Sequence, residues 1–209
     1  IRLYVSRGPG DFSPLPYASI GSQLYIVATT LGASDPALWE KGCSLAVSRI
    51  PLKPGYFCTV KSCNYLPNAL MKKEAVDMGV DYTVGVNDQG MLAEGPTENL
   101  GIISTDRKFL VPGFAQTLRG TTLLRAMHLA QDLVAQGELK DIREAELSAQ
   151  DLLQAREVML FGTTIDVLPV TSFQGQSIAA GTPGPISRRL LELLQQDQQP
   201  PSDALTLVF

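Results

Sequence analysis

The amino-acid sequence predicts an α+β fold, and three observations carry that prediction. Short segments rich in β-branched and aromatic residues recur at hairpin spacing, notably at 82–86, 91–94, 99–103 and 109–111. Separate stretches carry apolar residues at helical period and end in glycine. No internal repeat appears, and the mixture of strands and helices reads as α+β. The chain has 209 residues, 44% of them hydrophobic, enough for a packed core and too apolar for intrinsic disorder.

Taken in order, residues 2–6 and 23–28 read as strands, with Gly8-Pro9-Gly10-Asp11, Pro14 and Pro16 marking a loop between them. Two strands and a loop cannot bury a core alone, so 1–30 is expected to be the tail of something larger. The chain begins at Ile1 rather than Met, which predicts processing, trimming or a missing portion. Residues 31–41 read as a connection, and 44–48 as a strand. A helix is expected over 64–78, with Leu66, Leu70 and Val76 or Asp77 on one side, Lys72, Lys73 and Glu74 on the other, and Gly79 as its stop. Asp88-Gln89-Gly90 and Thr105-Asp106-Arg107 are the turns between the short strands. A second helix is expected over 121–136, with Leu123, Met127, Ala130 and Val134 on one face. Ser148 and Asp151 have capping-box spacing and start a third. Residues 158–161 and 167–170 are buried-type strands around Gly162-Thr163-Thr164, and 172–178 is a hairpin centred on Gly175. The last helix opens at Gly184-Pro185 and turns Ile186, Leu190, Leu191 and Leu194 inward.

Composition excludes several functions. The net charge is −4 and no cluster of Lys and Arg is visible, which argues against a nucleic acid or anionic membrane as partner. No apolar run approaches a membrane span, and no signal-like N-terminus is visible. Cys43, Cys58 and Cys63 are irregularly spaced, so neither a disulfide framework nor a structural zinc is expected, and a reducing compartment is. The single histidine, His128, lies mid-helix, where a structural or surface role is the commoner one; no metal site is expected. Gly8-Pro9-Gly10 lacks the rest of a dinucleotide fingerprint, and there is no phosphate-loop Gly-Lys-Ser/Thr.

What remains is lysine chemistry. Lys61 ends an apolar stretch just before a helix, where desolvation lowers an ammonium pKa and frees the amine to attack a carbonyl; the alternative is a surface loop lysine. Leu118-Arg119-Gly120-Thr121-Thr122 has the composition of a phosphate cradle at a helix start, and Gly162-Thr163-Thr164 offers a second set of hydroxyls; ordinary capping is the alternative for both. Glu94 closes an apolar strand where no structural need for a carboxylate is evident, with Glu98 as a solvated neighbour.

In order along the chain, these pieces are Lys61-Ser62-Cys63-Asn64-Tyr65-Leu66-Pro67-Asn68, Lys72-Lys73-Glu74-Ala75, Glu94-Gly95-Pro96-Thr97-Glu98-Asn99, Leu118-Arg119-Gly120-Thr121-Thr122, and Gly162-Thr163-Thr164 with Leu168-Pro169-Val170. Gly181-Thr182-Pro183-Gly184-Pro185 closes the series. Over residues 41–194 the sequence resembles the class IV (fold type IV) pyridoxal-phosphate transaminases, which include branched-chain and D-amino acid aminotransferases and aminodeoxychorismate lyases. The resemblance implies a pseudo-barrel of strands with helices, preceded by a small α/β domain. On that basis 1–31 is the end of the small domain, 32–40 a linker, and 41–209 the large cofactor-binding domain.

Carried over, the resemblance makes Lys61 the catalytic Schiff-base lysine and Glu94 the partner of the protonated pyridine nitrogen. Tyr65 would lie near the phenolic oxygen, Leu118 on a face of the ring, and Thr121, Thr122 and Thr163 at the phosphate. Thr163 and Thr164, with their backbone N–H groups, would hold the substrate carboxylate. The resemblance further implies amino acid and 2-oxo acid substrates, a homodimer, and a cytoplasmic or plastid location. Two departures stand out. None of Arg2, Arg7 and Arg49 matches the motif of the family's phosphate arginine, and Phe12-Ser13-Pro14 replaces the Arg-x-His pair of bacterial D-amino acid aminotransferases. Transamination is the leading expectation, aminodeoxychorismate lyase the second, and a non-catalytic binding module the third, disfavoured because Lys61 and Glu94 are both retained.

Overall fold

A computed structural model describes residues 1–32, 35–200, 202, 203 and 205. The chain forms two compact units, Ile1–Ser34 and Asp35–Phe209. In the first, β1 (Arg2–Ser6) and β2 (Gln23–Val27) make an antiparallel hairpin. Cross-strand pairing of Leu3 with Ile26 and Val5 with Leu24 puts four aliphatic side chains on one face.

The second unit contains α1 (Ala37–Lys41), β3 (Cys43–Val47), α2 (Leu66–Met78), β4 (Tyr82–Val84), β5 (Asn99–Ile103), β6 (Lys108–Pro112) and α3 (Thr121–Ala135). It continues with β7 (Asp141–Ala145), α4 (Ala149–Gln154), β8 (Glu157–Gly162), β9 (Asp166–Phe173), β10 (Gln176–Ser177) and α5 (Pro185–Asp197). The strands join in one mixed sheet of order β4-β3-β9-β8-β5-β6-β7, with β10 folded back on β9. The β3–β4, β3–β9 and β6–β7 pairs are parallel and the others antiparallel. This is the expected α+β architecture.

Both faces of the sheet are covered, which explains the continuous apolar run of β8. Val158 and Leu160 point into one core with Leu45, Leu100, Leu152 and Leu168. Met159 and Phe161 point into the other with Phe109 and with Leu123, Ala130 and Leu133 of α3 and Leu190 and Leu194 of α5. Ser148 and Asp151 form the anticipated capping box at α4. Glu157 is buried and accepts backbone N–H bonds from Ile186 at 2.9 Å and Ser187 at 2.7 Å, so a carboxylate from β8 caps α5.

Several elements differ from the sequence reading. The connection at 31–41 contains the short helix α1. The strand expected at 91–94 is only a set of isolated bridges, because Leu92 and Glu94 divide their pairing among Val86, Leu147 and Asn99. β7 was not anticipated: its charged side chains sit on an edge strand, reached from β6 across α3. α2 begins at Leu66, and its expected apolar face is exposed. It buries Met71, Glu74 and Ala75 instead, because Glu74 is drawn inward by Ser48 and Arg49. α3 buries Leu123, Ala126, Ala130 and Leu133, a face one residue round from the expected one, with Met127 and Val134 half-buried. On α5, Leu191 is likewise only half-buried.

Candidate active site

A solvent-open cleft in the second unit spans about 420 Å³ of non-atom space, open solvent included. Three segments build it: the loop running into α2, the 94–99 turn at the head of β5, and the strand-to-helix link before α3. Lys61, Tyr65, Glu94 and Leu118, all picked out from the sequence, line it together, joined by Lys53, Asn68 and Asn99.

Glu94 is fixed by its surroundings. Its Oε2 accepts the Leu118 N–H at 2.9 Å and a long contact from Asn99 Nδ2 at 3.4 Å. The same Asn99 amide donates to the Leu118 carbonyl at 2.8 Å, so one side chain ties the 94–99 turn to the start of α3. Burial pushes the Glu94 carboxyl up to about 7, against the pull of the Leu118 N–H and of Lys53 and Lys61; Glu98 adds to the rise. The carboxylate is therefore poised to respond to a cation or a protonated nitrogen placed in the cleft.

Lys61 is exposed where it lines the cleft, which agrees with the surface-loop alternative rather than with a desolvated lysine. Tyr65 stands half-open beside it at the start of α2. Glu98 is not a solvated neighbour. It is buried, takes the Thr97 N–H at 2.9 Å and the Thr97 hydroxyl, and pairs with Lys72 Nζ at 3.1 Å. It shapes the 94–99 turn from inside.

The four threonines lie outside the cleft lining. Thr121 and Thr122 open α3, whose N-cap is Gly120 and which has no side-chain cap. The first N–H groups of that helix are thus left for something else, which removes ordinary capping as the role of these threonines. Glycine at 120 leaves room for Asn99, since a Cβ there would meet Asn99 Oδ1 and push that side chain aside. Thr163 and Thr164 are exposed in the turn between β8 and β9. Asn99 faces Phe161 across the β5–β8 ladder, so this turn and the Glu94 bridge lie at the same end of two central strands. His128 is exposed on α3 and takes no part.

Sequence reasoning missed Lys53, Asn99 and Asn68. Asn99 closes the Glu94-to-Asn99 motif and could have been found there; Lys53, between Pro51 and Pro54, carries no periodic or spacing signal. Asn68 Nδ2 donates to the Pro96 carbonyl, and its Oδ1 is buried in the cleft without a partner.

Among the described residues, no helix is long and apolar enough to cross a membrane. The profile of the amino-transferase class IV family matches residues 1–173. The chain is 37% identical over 206 residues to the chloroplastic D-amino-acid transaminase of Arabidopsis thaliana, an alignment covering 97% of this chain and 54% of that protein. It is 31% identical over 190 residues to the branched-chain-amino-acid aminotransferase of Salmonella typhimurium, covering 91% of this chain and 58% of the relative. The fold superposes on the Escherichia coli branched-chain amino acid aminotransferase with a TM-score of 0.85, at 25% identity over 97% of this chain and 66% of that one. It also superposes on a second branched-chain amino acid aminotransferase, solved with pyridoxamine 5'-phosphate, with a TM-score of 0.80 at 25% identity, covering 95% of this chain and 67% of that one. The chain spans little more than half the length of the two curated relatives. A cleft that sets a lysine beside a fixed, half-buried carboxylate, on a fold shared with these enzymes, identifies the chain as a member of the class IV aminotransferase family.

Proposed function

We propose that this chain carries the catalytic apparatus of a pyridoxal-phosphate transaminase, with Lys61 as its covalent anchor and proton carrier. The supporting observation is that Lys61 and Glu94 line one cleft, with Glu94 held by the Leu118 N–H. The residues present fit the cofactor. A carboxylate raised by burial suits a protonated pyridine nitrogen, and the uncapped start of α3 suits a phosphate. When bound, pyridoxal phosphate supplies an aldehyde and a ring that draws electrons from the substrate Cα.

The residues then divide the work. Lys61 would hold the cofactor through its aldehyde carbon, with loss of water, and its Nζ, when free, would carry the proton taken from the substrate Cα. Glu94 holds the proton on the ring nitrogen, and preorganised charge of this kind contributes several kcal/mol to carbanion stabilisation, on the order of what one oxyanion-hole donor supplies. Tyr65 would hold the phenolic oxygen, Leu118 would cover a face of the ring, and Thr121, Thr122 and Thr163 would hold the phosphate. The Gly162-Thr163-Thr164 turn, through Thr163 and Thr164, receives the substrate carboxylate.

The substrates on this reading are an amino acid, of the branched-chain or D series, and a 2-oxo acid. The relatives named above are transaminases of both kinds, which supports transamination over aminodeoxychorismate lyase chemistry. The first unit, to residue 31, belongs on this reading to the small domain, and residues 41–209 to the large one. A homodimer in a reducing compartment, cytoplasm or plastid, completes the proposal, supported by three free cysteines and a chloroplastic relative.

Titration of the chain with pyridoxal phosphate, followed by borohydride, tests it. The unaltered chain should give a yellow adduct fixed by reduction, and Lys61→Ala should give none. Retention of the fixed adduct in Lys61→Ala would overturn the assignment of Lys61. Absence of cofactor binding to the unaltered chain would favour a non-catalytic module. Release of 4-aminobenzoate from aminodeoxychorismate, without transfer of an amino group between amino and oxo acids, would favour the lyase.

A further inference from the structure

The cleft contains a second lysine that the transaminase scheme leaves without a task. Lys53 is half-buried and lines the main cleft with Lys61 and Glu94. It also lines a smaller adjoining cleft together with Glu94, Asn68, Cys58 and Met71, so it borders Glu94 in both. Among the described residues it makes no hydrogen bond or close ion pair, although an ammonium carries three donors. Asn68 Oδ1, in both clefts, is buried without a donor. A partnerless cation, a partnerless acceptor and a half-buried carboxylate thus share one small space.

The loop that delivers Lys53 is anchored. Buried Glu74 of α2 accepts the Ser48 hydroxyl at 2.5 Å, the Arg49 N–H at 3.1 Å and Arg49 Nε at 2.9 Å. These bonds pin the chain four residues before Lys53, and Pro51 and Pro54 stiffen the stretch on either side of it. The lysine is delivered by a fixed strut.

The groups facing Glu94 are Lys53 and Cys58 from this loop, Lys61 from the α2 approach, Glu98 from the 94–99 turn, and the Leu118 N–H. Cys58 is buried with its thiol turned to the Gly55 carbonyl, and burial raises it further from ionising. Glu98 is an anion already taken by Lys72. Lys61 is spent on covalent attachment in the proposed reaction. Only Lys53 is left as a standing positive charge.

We propose that Lys53 is a positioning residue of the cofactor site, whose ammonium, beside Glu94 in the cleft, favours the charged form of that carboxylate for the pyridine nitrogen. The proposal rests on the cofactor reading for its purpose, but the coupling of Lys53 to Glu94 is a property of the chain alone. Without that charge, Glu94 would hold its proton to higher pH still and meet the ring nitrogen more often as a neutral acid, the weaker partner.

The test uses the 209-residue chain without cofactor, labelled with carboxyl-¹³C glutamate, with the Glu94 resonance assigned by its loss in Glu94→Gln. In Lys53→Met the Glu94 titration midpoint should rise by about one pH unit, the low end expected for losing a neighbouring opposite charge. Lys53→Arg should restore it. An unmoved midpoint in Lys53→Met overturns the proposal, as does a raised midpoint that Lys53→Arg leaves raised. Should Lys53→Met not fold, Lys53→Gln makes the same neutral replacement. Pyridoxal phosphate titration of the unaltered chain separates the two readings. A shifted midpoint with no cofactor binding keeps the coupling and overturns its assignment to a cofactor site.

Discussion

Glu94→Gln offers a direct measure of what the site costs the fold. The carboxyl, with an ordinary value of 4.5, is pushed up to about 7 by burial. A raised acid holds its proton in the folded state after the unfolded chain has released it. Stability is therefore highest below the ordinary value, falls as pH rises through the window up to about 7, and levels off above it. The full difference amounts to about 3 kcal/mol at about 1.4 kcal/mol per pH unit. Between about pH 5 and about pH 8 the part that is lost is about 2 to 3 kcal/mol. Glutamine cannot ionise, yet its carbonyl can still accept the Leu118 N–H. The variant should therefore lose this slope while keeping the 94–118 link. Urea unfolding at the two pH values reads it through Trp39, the only tryptophan, whose indole N–H bonds the Ile165 carbonyl inside the large unit. At the higher pH Glu94→Gln should be more stable than the unaltered chain, by an amount that shrinks at the lower pH. If the two proteins keep a constant difference across the window, Glu94 is not the buried, proton-holding group described here.

Glu157→Ala strands two buried N–H groups at the start of α5, and should cost about 2 to 4 kcal/mol in urea unfolding; a loss below about 1 kcal/mol would mean water replaces the cap. Gly120→Ala forces Asn99 aside, should cost about 1 to 3 kcal/mol, and should weaken pyridoxal phosphate binding as Glu94 and Leu118 lose their tie; unchanged affinity would remove Asn99 from the site. Ser148→Ala opens the capping box on α4 and should cost about 1 kcal/mol without altering cofactor binding. Glu74 is held below the usual carboxylate range by its bonds to Ser48 and Arg49, against its burial. Its stabilisation is present above the ordinary value and is lost as pH falls through and below it, so Glu74→Gln should narrow the loss of stability in acid.

The sequence picked out residues that line one cleft more readily than it picked out the buried faces of the helices. Lys61 and Glu94 stand at breaks in pattern, where an apolar run ends in a charge, and a glycine opens a helix just after Leu118, but the resemblance to the family is what gave these residues their expected roles. Those breaks are local. The burial of Glu74 and the exposure of Leu66 and Leu70 are not, because they depend on Ser48 and Arg49 closing over α2 from another part of the chain. Lys53 was invisible for the same reason: its meaning comes from what the loop brings it beside. The edge strand β7 hid behind its charges, which an edge can carry and a central strand cannot.

The order of the strands bears on how this chain can be made. β3 and β4 form one end of the sheet and β5, β6 and β7 the other; in the strand order β8 and β9, the last long strands in sequence, join them, and otherwise the isolated bridges of 92–94 reach across. Cys43 pairs with Val170, so the sheet cannot close until nearly the whole family-matched stretch, which ends at residue 173, has left the ribosome. Until then each part shows bare strand edges and apolar faces to the cell. Chains ending before Glu157 should be caught by chaperones or aggregate, whereas chains reaching Phe173 can form the sheet and lack only the covering helix α5 and the β10 turn-back. The two central strands act as the clasp of translation, and the protein becomes foldable late and all at once.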